Sequence, residues 1–219
     1  MLGKASAADI AKRRDALLGR LRAAAEAAGR DPDGFRIVAV TKTFPIEVCR
    51  AAFDAGLTAL AENRVQEALP KIAALPEAEW HLVGHLQSNK VRRAVASFAT
   101  IHSVDSVDLL RRIDAAAHDL VRRPRLLLQV NVSGEPTKSG VAPEELPRFL
   151  GLYPDVRGLM TMPPWTDDPE ASRPYFRRLR ELAEEHGLRE LSMGTSQDYR
   201  VAAEEGATLV RVGAVLWQR

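Results

Sequence analysis

The chain has 219 residues, 46% hydrophobic and 27% charged, and its 31 Lys and Arg against 29 Asp and Glu leave a formal net charge of +2. That length suffices for one large core or two small ones, and so small a net charge supplies no field of the kind that nucleic-acid binding draws on. No apolar run approaches the roughly 18 residues of a membrane span, and the lone cysteine, Cys49, excludes an intrachain disulfide and any multi-cysteine metal site.

The opening stretch, MLGKASAADIAKRRDALL, mixes charges throughout and lacks the apolar centre of a signal peptide, so a reducing, cytoplasmic setting is expected. A helix over about 6–29 comes first. Short β-branched runs then predict strands at 36–41, 58–62, 79–84 and 100–104, continuing at 125–132, 156–161, 190–194 and 208–213. Helices are predicted between them near 45–56, 64–75, 88–97, 106–121, 143–151, 168–187 and 197–206. Start signals are Pro45 at a first turn, Asp105 or Ser106 before VDLLRRID, and Ser196 before QDYRVAAEEG. Gly56, Gly187 and Gly206 stand where helices should stop.

Eight strands alternating with helices predict an α/β protein built as a (β/α)8 barrel. No linker rich in Pro, Gly or Ser divides residues 1–219, which are therefore expected to form one domain. A doubly wound open sheet is the alternative, because periodicity does not say whether a sheet closes. The pattern ends within six residues of strand eight, so an eighth helix is missing, and residues 1–30 are expected to pack over the gap.

In such barrels the chemistry gathers at the C-terminal strand ends. Strand one delivers Lys42 there, in AVTKT. Lysines occur only at 4, 12, 42, 71, 90 and 138, so one that ends an apolar strand is expected to be enclosed, with a depressed pKa and a nucleophilic amine. After strand seven, SMGTS (Ser192, Gly194, Ser196) opens a helix, and VRVGA at strand eight brings Arg211 and Gly213. Small residues there let backbone N–H groups approach a phosphate, although either glycine alone is equally explained by a tight turn. A lysine across from a phosphate site suggests pyridoxal 5′-phosphate, and the alternative is a class I aldolase-like lysine that attacks its substrate without a cofactor. His81 and His85 would lie about 13 Å apart along one strand, too far to share an ion, so no metal site is expected. His81 and His102 read as partly buried strand histidines.

The segments AVTKT, AENRVQE, WHLVGHLQSNK, TKSG, RGLMTM, LSMGTSQD and TLVRVGAVLW occur in that order. Together they resemble the pyridoxal phosphate homeostasis protein family, over about residues 36–217. The resemblance implies a barrel like the N-terminal domain of alanine racemase, of fold type III, with Lys42 carrying the cofactor as an internal aldimine. It places Ser196, Arg211 and Gly213 around the phosphate and lets Asn63 and Met160 line the pocket. The sequence departs from that pattern at Thr195 (methionine in the family), Ala214 (threonine), Trp217-Gln218 (Phe-Gly) and Ala61 (glycine).

Racemases of this fold type add a second domain that supplies a catalytic tyrosine, for which residues beyond 213 leave no room. Tyr153, Tyr175 and Tyr199 all fall on helical or peripheral segments, and Lys42 is at most one of the two acid/base groups racemisation needs. The expectation is a protein that stores or delivers the cofactor, with apo-enzymes as partners and no nucleic acid or membrane. A weak racemase, lyase or transaminase is the alternative.

Overall fold

The computed structural model describes residues 6–135, 138–153 and 155–217; residues 1–5, Thr137 of the TKSG segment and Gln218 lie outside the described residues. Eight parallel strands follow one another around a closed barrel. They are β1 (Arg36–Val40), β2 (Ala59–Glu62), β3 (Glu79–Leu82), β4 (Thr100–Val104), β5 (Arg125–Gln129), β6 (Val156–Met160), β7 (Glu190–Ser192) and β8 (Leu209–Val212). β1 pairs with β8, Arg36 opposite Leu209 and Ala39 opposite Val212, which closes the sheet and excludes the open alternative.

Strand alternation divides the apolar residues into two sets. Ile37, Ala39, Leu60, Trp80, Leu82, Ile101 and Leu128 face outward into the layer shared with the helices. Val38, Ala59, Ala61, Leu127, Met160 and Leu209 face the barrel axis, with Val40 and Val83 against them. The helices around the barrel are α1 (Ala7–Ala27), α2 (Ile46–Asp54), α3 (Val65–Ala74), α4 (Val91–Ser97) and α5 (Val107–Leu120). They continue with α6 (Leu146–Leu152), α7 (Arg173–Glu185), α8 (Tyr199–Glu204) and α9 (Ala214–Trp217).

α1 begins with a reciprocal cap between Ser6 and Asp9 and buries Ile10, Leu17, Leu21 and Ala24 along one stripe. Full burial of a leucine side chain contributes about 1.5–3 kcal/mol. The stripe lies against α2, α8 and α9, beside the β8–β1 seam. Arg13 Nη1 also donates to the carbonyl of Leu216 at 3.0 Å. α9 is a single turn that the sequence pattern does not announce; Leu216 and Trp217 hold it by burial, and Trp217 Nε1 donates to the Val40 carbonyl at 2.9 Å.

Helix punctuation follows the expected chemistry at most ends. Pro45 stands at the N-cap of α2, and the Ser106 hydroxyl accepts from the Leu109 amide at 3.3 Å to cap α5. Gly56, Gly187 and Gly206 have φ of 84°, 67° and 89°, the left-handed stop that glycine adopts without strain. Ser196 is the exception. α8 starts only at Tyr199 with Asp198 before it, because the Asp198 carboxylate ties back Thr195 through both the amide (2.7 Å) and the hydroxyl (2.9 Å).

The N-terminal end of the barrel is sealed by charge. Arg36, Glu79, Arg125 and Glu190 are the first residues of β1, β3, β5 and β7. Arg36 reaches Glu79 at 2.6 Å, and Arg125 bridges Glu79 at 3.6 Å and Glu190 at 3.4 Å.

Candidate functional site at the C-terminal barrel rim

Val38 and Val40 belong to the inner cluster, and Lys42 is the next residue in that register, two beyond the last residue of β1. It is exposed, which corrects the expectation of an enclosed amine. The strand stops at Val40, and Thr43 turns the chain away with φ of 68°, so no wall of sheet surrounds the lysine. Among the described residues its ammonium has no hydrogen-bond or ion-pair partner.

Beside it, β7 and β8 bring Ser196 and Gly213 together. The Ser196 hydroxyl oxygen accepts from the amides of Gly213 at 3.0 Å and Val215 at 3.3 Å. Two N–H groups therefore converge on one oxygen at the rim, a geometry an anion's oxygen can share or take over. Gly213 lies against β1, since a Cβ there would stand 3.4 Å from the Val40 carbonyl oxygen. Gly194 serves the turn itself. Its φ is 86°, a Cβ would come 2.4 Å from that of Ala202, and its carbonyl accepts from the Arg211 amide at 3.0 Å. The departures Thr195 and Ala214 flank this cradle; the Thr195 hydroxyl is committed to Asp198, and Ala214 is exposed at the start of α9.

Arg211 lies deeper, 4% exposed, and not with Ser196 and Gly213. Its guanidinium donates to Ser192 Oγ (2.6 Å), the Thr161 carbonyl (2.9 Å) and Met162 Sδ (2.9 Å), all neutral acceptors. Burial pulls its pKa down to about 10, so it stays charged at neutral pH. Met160 is buried in the inner cluster beneath the rim. Asn63 lines a cavity of about 660 Å³ with Arg64, Gly84, His85, Gln87 and Lys90, over the ends of β2 and β3. A groove of about 300 Å³ lined by Arg123, Tyr153 and Arg157 lies at the start of β5 and β6, on the opposite face from Lys42.

The two strand histidines are fully buried and in contact, a pairing that sequence spacing does not predict. Because Arg211 donates to Ser192 Oγ, the serine hydroxyl is free to donate to His102 Nδ1, 2.7 Å away. His102 Nε2–H then donates to His81 Nδ1 (2.8 Å), and His81 Nε2–H to Glu79 Oε1 (3.1 Å). Every donor finds an acceptor with both rings neutral, and the chain spans the barrel from the Glu79 carboxylate to Arg211. Parity alone, His81 alternating with the outward Trp80, was the available sequence signal. Burial pushes both histidines below their ordinary value, His102 the further, with His81, Arg211 and Arg125 adding to it. Hydrogen bonding to His81 is the largest cause that lowers Glu79 to about 2.

These directions fix a sign. A histidine depressed in the folded state contributes fully above its unfolded pKa of about 6.5. As pH falls below that value the unfolded chain takes up protons that the folded chain refuses, and stability declines. Urea titrations between pH 8 and pH 5 are expected to show stability constant above about 6.5 and falling below it, with a shallower fall in His102→Gln. An equal slope in the variant would remove the histidine pair as the cause.

The fold and the placement of these groups define a class, the (β/α)8 barrel of the alanine racemase N-terminal domain type, whose family model matches residues 13–218. Within that class the relatives are specific. A pyridoxal phosphate homeostasis protein of Aquifex aeolicus is 43% identical over 214 residues, covering 92% of this chain and 94% of the relative. The pyridoxal phosphate homeostasis protein of Pseudomonas aeruginosa is also 43% identical, covering 90% of each chain. The structure of PipY from Synechococcus elongatus with pyridoxal phosphate bound superimposes with a TM-score of 0.81 at 39% identity, over 95% of this chain and 99% of PipY. The chain belongs to the pyridoxal phosphate homeostasis protein family.

Proposed function

We propose that this protein holds pyridoxal 5′-phosphate as a Schiff base on Lys42 and takes part in intracellular storage and delivery of that cofactor. The observation that carries the reading is one barrel face with a free amine, Lys42, and a buried cation, Arg211, bonded only to neutral acceptors. A buried cation whose direct partners are all neutral, with the Asp198 carboxylate acting only at longer range, is unfavourable in the ligand-free protein and gains once an anion arrives. The residues fit the group. Ser196 and the Gly213 and Val215 amides offer the phosphate its donors, Lys42 the amine, and Arg211 a positive charge deeper beneath the rim; Asn63, Met160, Ser192 and Gly194 support the rim. Bound there, the cofactor supplies an aldehyde that condenses with the amine to an imine and releases one water, a bond that hydrolysis reverses.

Holding is favoured over turnover by what this chain's own residues do. Tyr153, Tyr175 and Tyr199 lie after α6, on α7 and on α8, and Tyr153 and Tyr199 pack in the outer layer. The two histidines nearest Arg211 are committed to each other. An exposed lysine suits exchange of the cofactor, with apo-enzymes as acceptors. Among the described residues no helix is long and apolar enough to cross a membrane, and the one cysteine is a buried free thiol, which agrees with a cytoplasmic setting.

The test is a titration of purified protein with pyridoxal phosphate, followed by visible imine absorbance, borohydride reduction and mass mapping. Lys42 is the expected adduct. Incubation of the loaded protein with amino acids is expected to give neither racemisation nor deamination; measurable turnover would replace the carrier reading with the enzymic one.

A further inference from the structure

Directly behind Lys42, between barrel and helices, lies a buried ion pair outside the site described so far. Glu62 ends β2 and is fully buried; Lys71 comes from the last turns of α3, with its side chain 12% exposed. Lys71 Nζ donates to Glu62 Oε1 at 2.7 Å and to the Thr41 carbonyl at 3.0 Å. The Thr41 hydroxyl donates to the same carboxylate oxygen at 2.6 Å. The Thr41 amide donates to Ala61 at 2.9 Å, and its carbonyl also accepts from the Phe44 amide at 3.1 Å. Every polar atom of Thr41 is thus committed, and Lys42 is the next residue.

The turn after Lys42 needs such an anchor. Thr43 is β-branched and sits at φ of 68°, a conformation that persists only where its surroundings over-determine it. Phe44 is pinned on the far side, its ring centroid 5.4 Å from that of Trp217. A buried ion pair adds little stability over apolar residues of the same size, so stability does not account for this one. Its bonds run to the residue that carries Lys42 at the rim.

We propose that Lys71 and Glu62 are positioning residues for Lys42. The Lys71 ammonium fixes the Thr41 carbonyl, Glu62 fixes that ammonium and the Thr41 hydroxyl, and together they hold the Lys42 amine where the cofactor's aldehyde meets it. The inference rests on the Schiff-base reading above.

The experiment compares wild type, Lys71→Met, Glu62→Gln and the charge-free double variant E62Q/K71M. Each single variant leaves a buried charge unpaired and is expected to melt at a lower temperature; the double variant removes both charges and is expected to recover most of that loss. Its amides at Lys42–Phe44 are expected to exchange faster in the ligand-free protein. Its affinity for pyridoxal phosphate, read from imine absorbance, is expected to fall at least about tenfold, the scale of a misplaced reacting group. A double variant with wild-type exchange and wild-type affinity would overturn the proposal and leave the pair a folding element. If wild type itself forms no imine, the Schiff-base reading fails instead, and amide exchange in the ligand-free variants still decides whether the pair holds Lys42.

Discussion

Lys42→Ala is expected to abolish imine absorbance with pyridoxal phosphate completely and to leave no reduced adduct after borohydride treatment. The other described lysines are Lys12, Lys71, Lys90 and Lys138, and none of them is the residue that continues β1 onto the rim. Lys71 is bound to Glu62 and the Thr41 carbonyl, Lys12 lies on α1, and Lys90 lies over β3 beside Gln87 and His85. The fold should be unaffected, because Lys42 is exposed and without a partner among the described residues. Such surface substitutions alter stability by no more than about 0.5 kcal/mol. Phosphate-directed binding through Ser196, Gly213 and Val215 should persist, so the variant is expected to keep a weaker, colourless complex seen by calorimetry. An undiminished imine signal would move the chemistry to another lysine.

Arg211→Met is expected to separate stability from binding. In the ligand-free protein two effects oppose each other. The fall of the Arg211 pKa from 12.5 to about 10, burial offset in part by the Asp198 carboxylate, corresponds to a net penalty of roughly 3 kcal/mol that methionine removes. Against that, Ser192 and the Thr161 carbonyl lose a charged donor, and hydrogen bonds to charged groups are worth about 1.5–3 kcal/mol each. The net change in unfolding free energy should stay within about 3 kcal/mol of zero. Ligand binding has no such compensation. Affinity for pyridoxal phosphate is expected to drop about 10- to 100-fold, the range of one charge-assisted contact, and the cofactor-induced rise in melting temperature should shrink with it. Arg211→Lys should not restore it, because one ammonium cannot serve Ser192, Thr161 and a ligand in the guanidinium's fork geometry. Wild-type affinity in Arg211→Met would show that the buried charge does not face the cofactor.

Much of this architecture was legible in the residues. The strands fall within about three residues of the β-branched runs, since period-two burial and glycine or proline punctuation are local properties. β5 is the largest difference: it ends at Gln129 instead of 132, because the Asn131 side chain accepts from Ser133 and Gly134 and bends the chain into a loop. The rim residues were legible because they occupy strand ends. What escaped was whatever depends on register around the closed sheet. Whether His81 meets His102, or Arg211 reaches Ser192, is set by the stagger between β3, β4, β7 and β8, which no single strand encodes. The same holds for Lys71. Nothing in its local sequence singles it out, and its target is reached only through the packing of α3 on β2. Local spacing also misjudged Lys42 as enclosed, since it does not reveal where the wall of the barrel stops.

The charged seal at the far end of the barrel, Arg36, Glu79, Arg125 and Glu190, has a bearing on traffic. Above it the barrel axis is filled by Val38, Ala61, Leu127 and Met160, so the rim is the one approach to Lys42. On the proposed function, a cofactor that enters over Lys42 leaves over Lys42, so loading and unloading are the same journey run in opposite directions and cannot proceed together. Under the delivery proposed above, an acceptor enzyme would have to face the rim itself, and while there it would shut out fresh cofactor from solution. One-way emptying would then follow from geometry alone, with no moving gate.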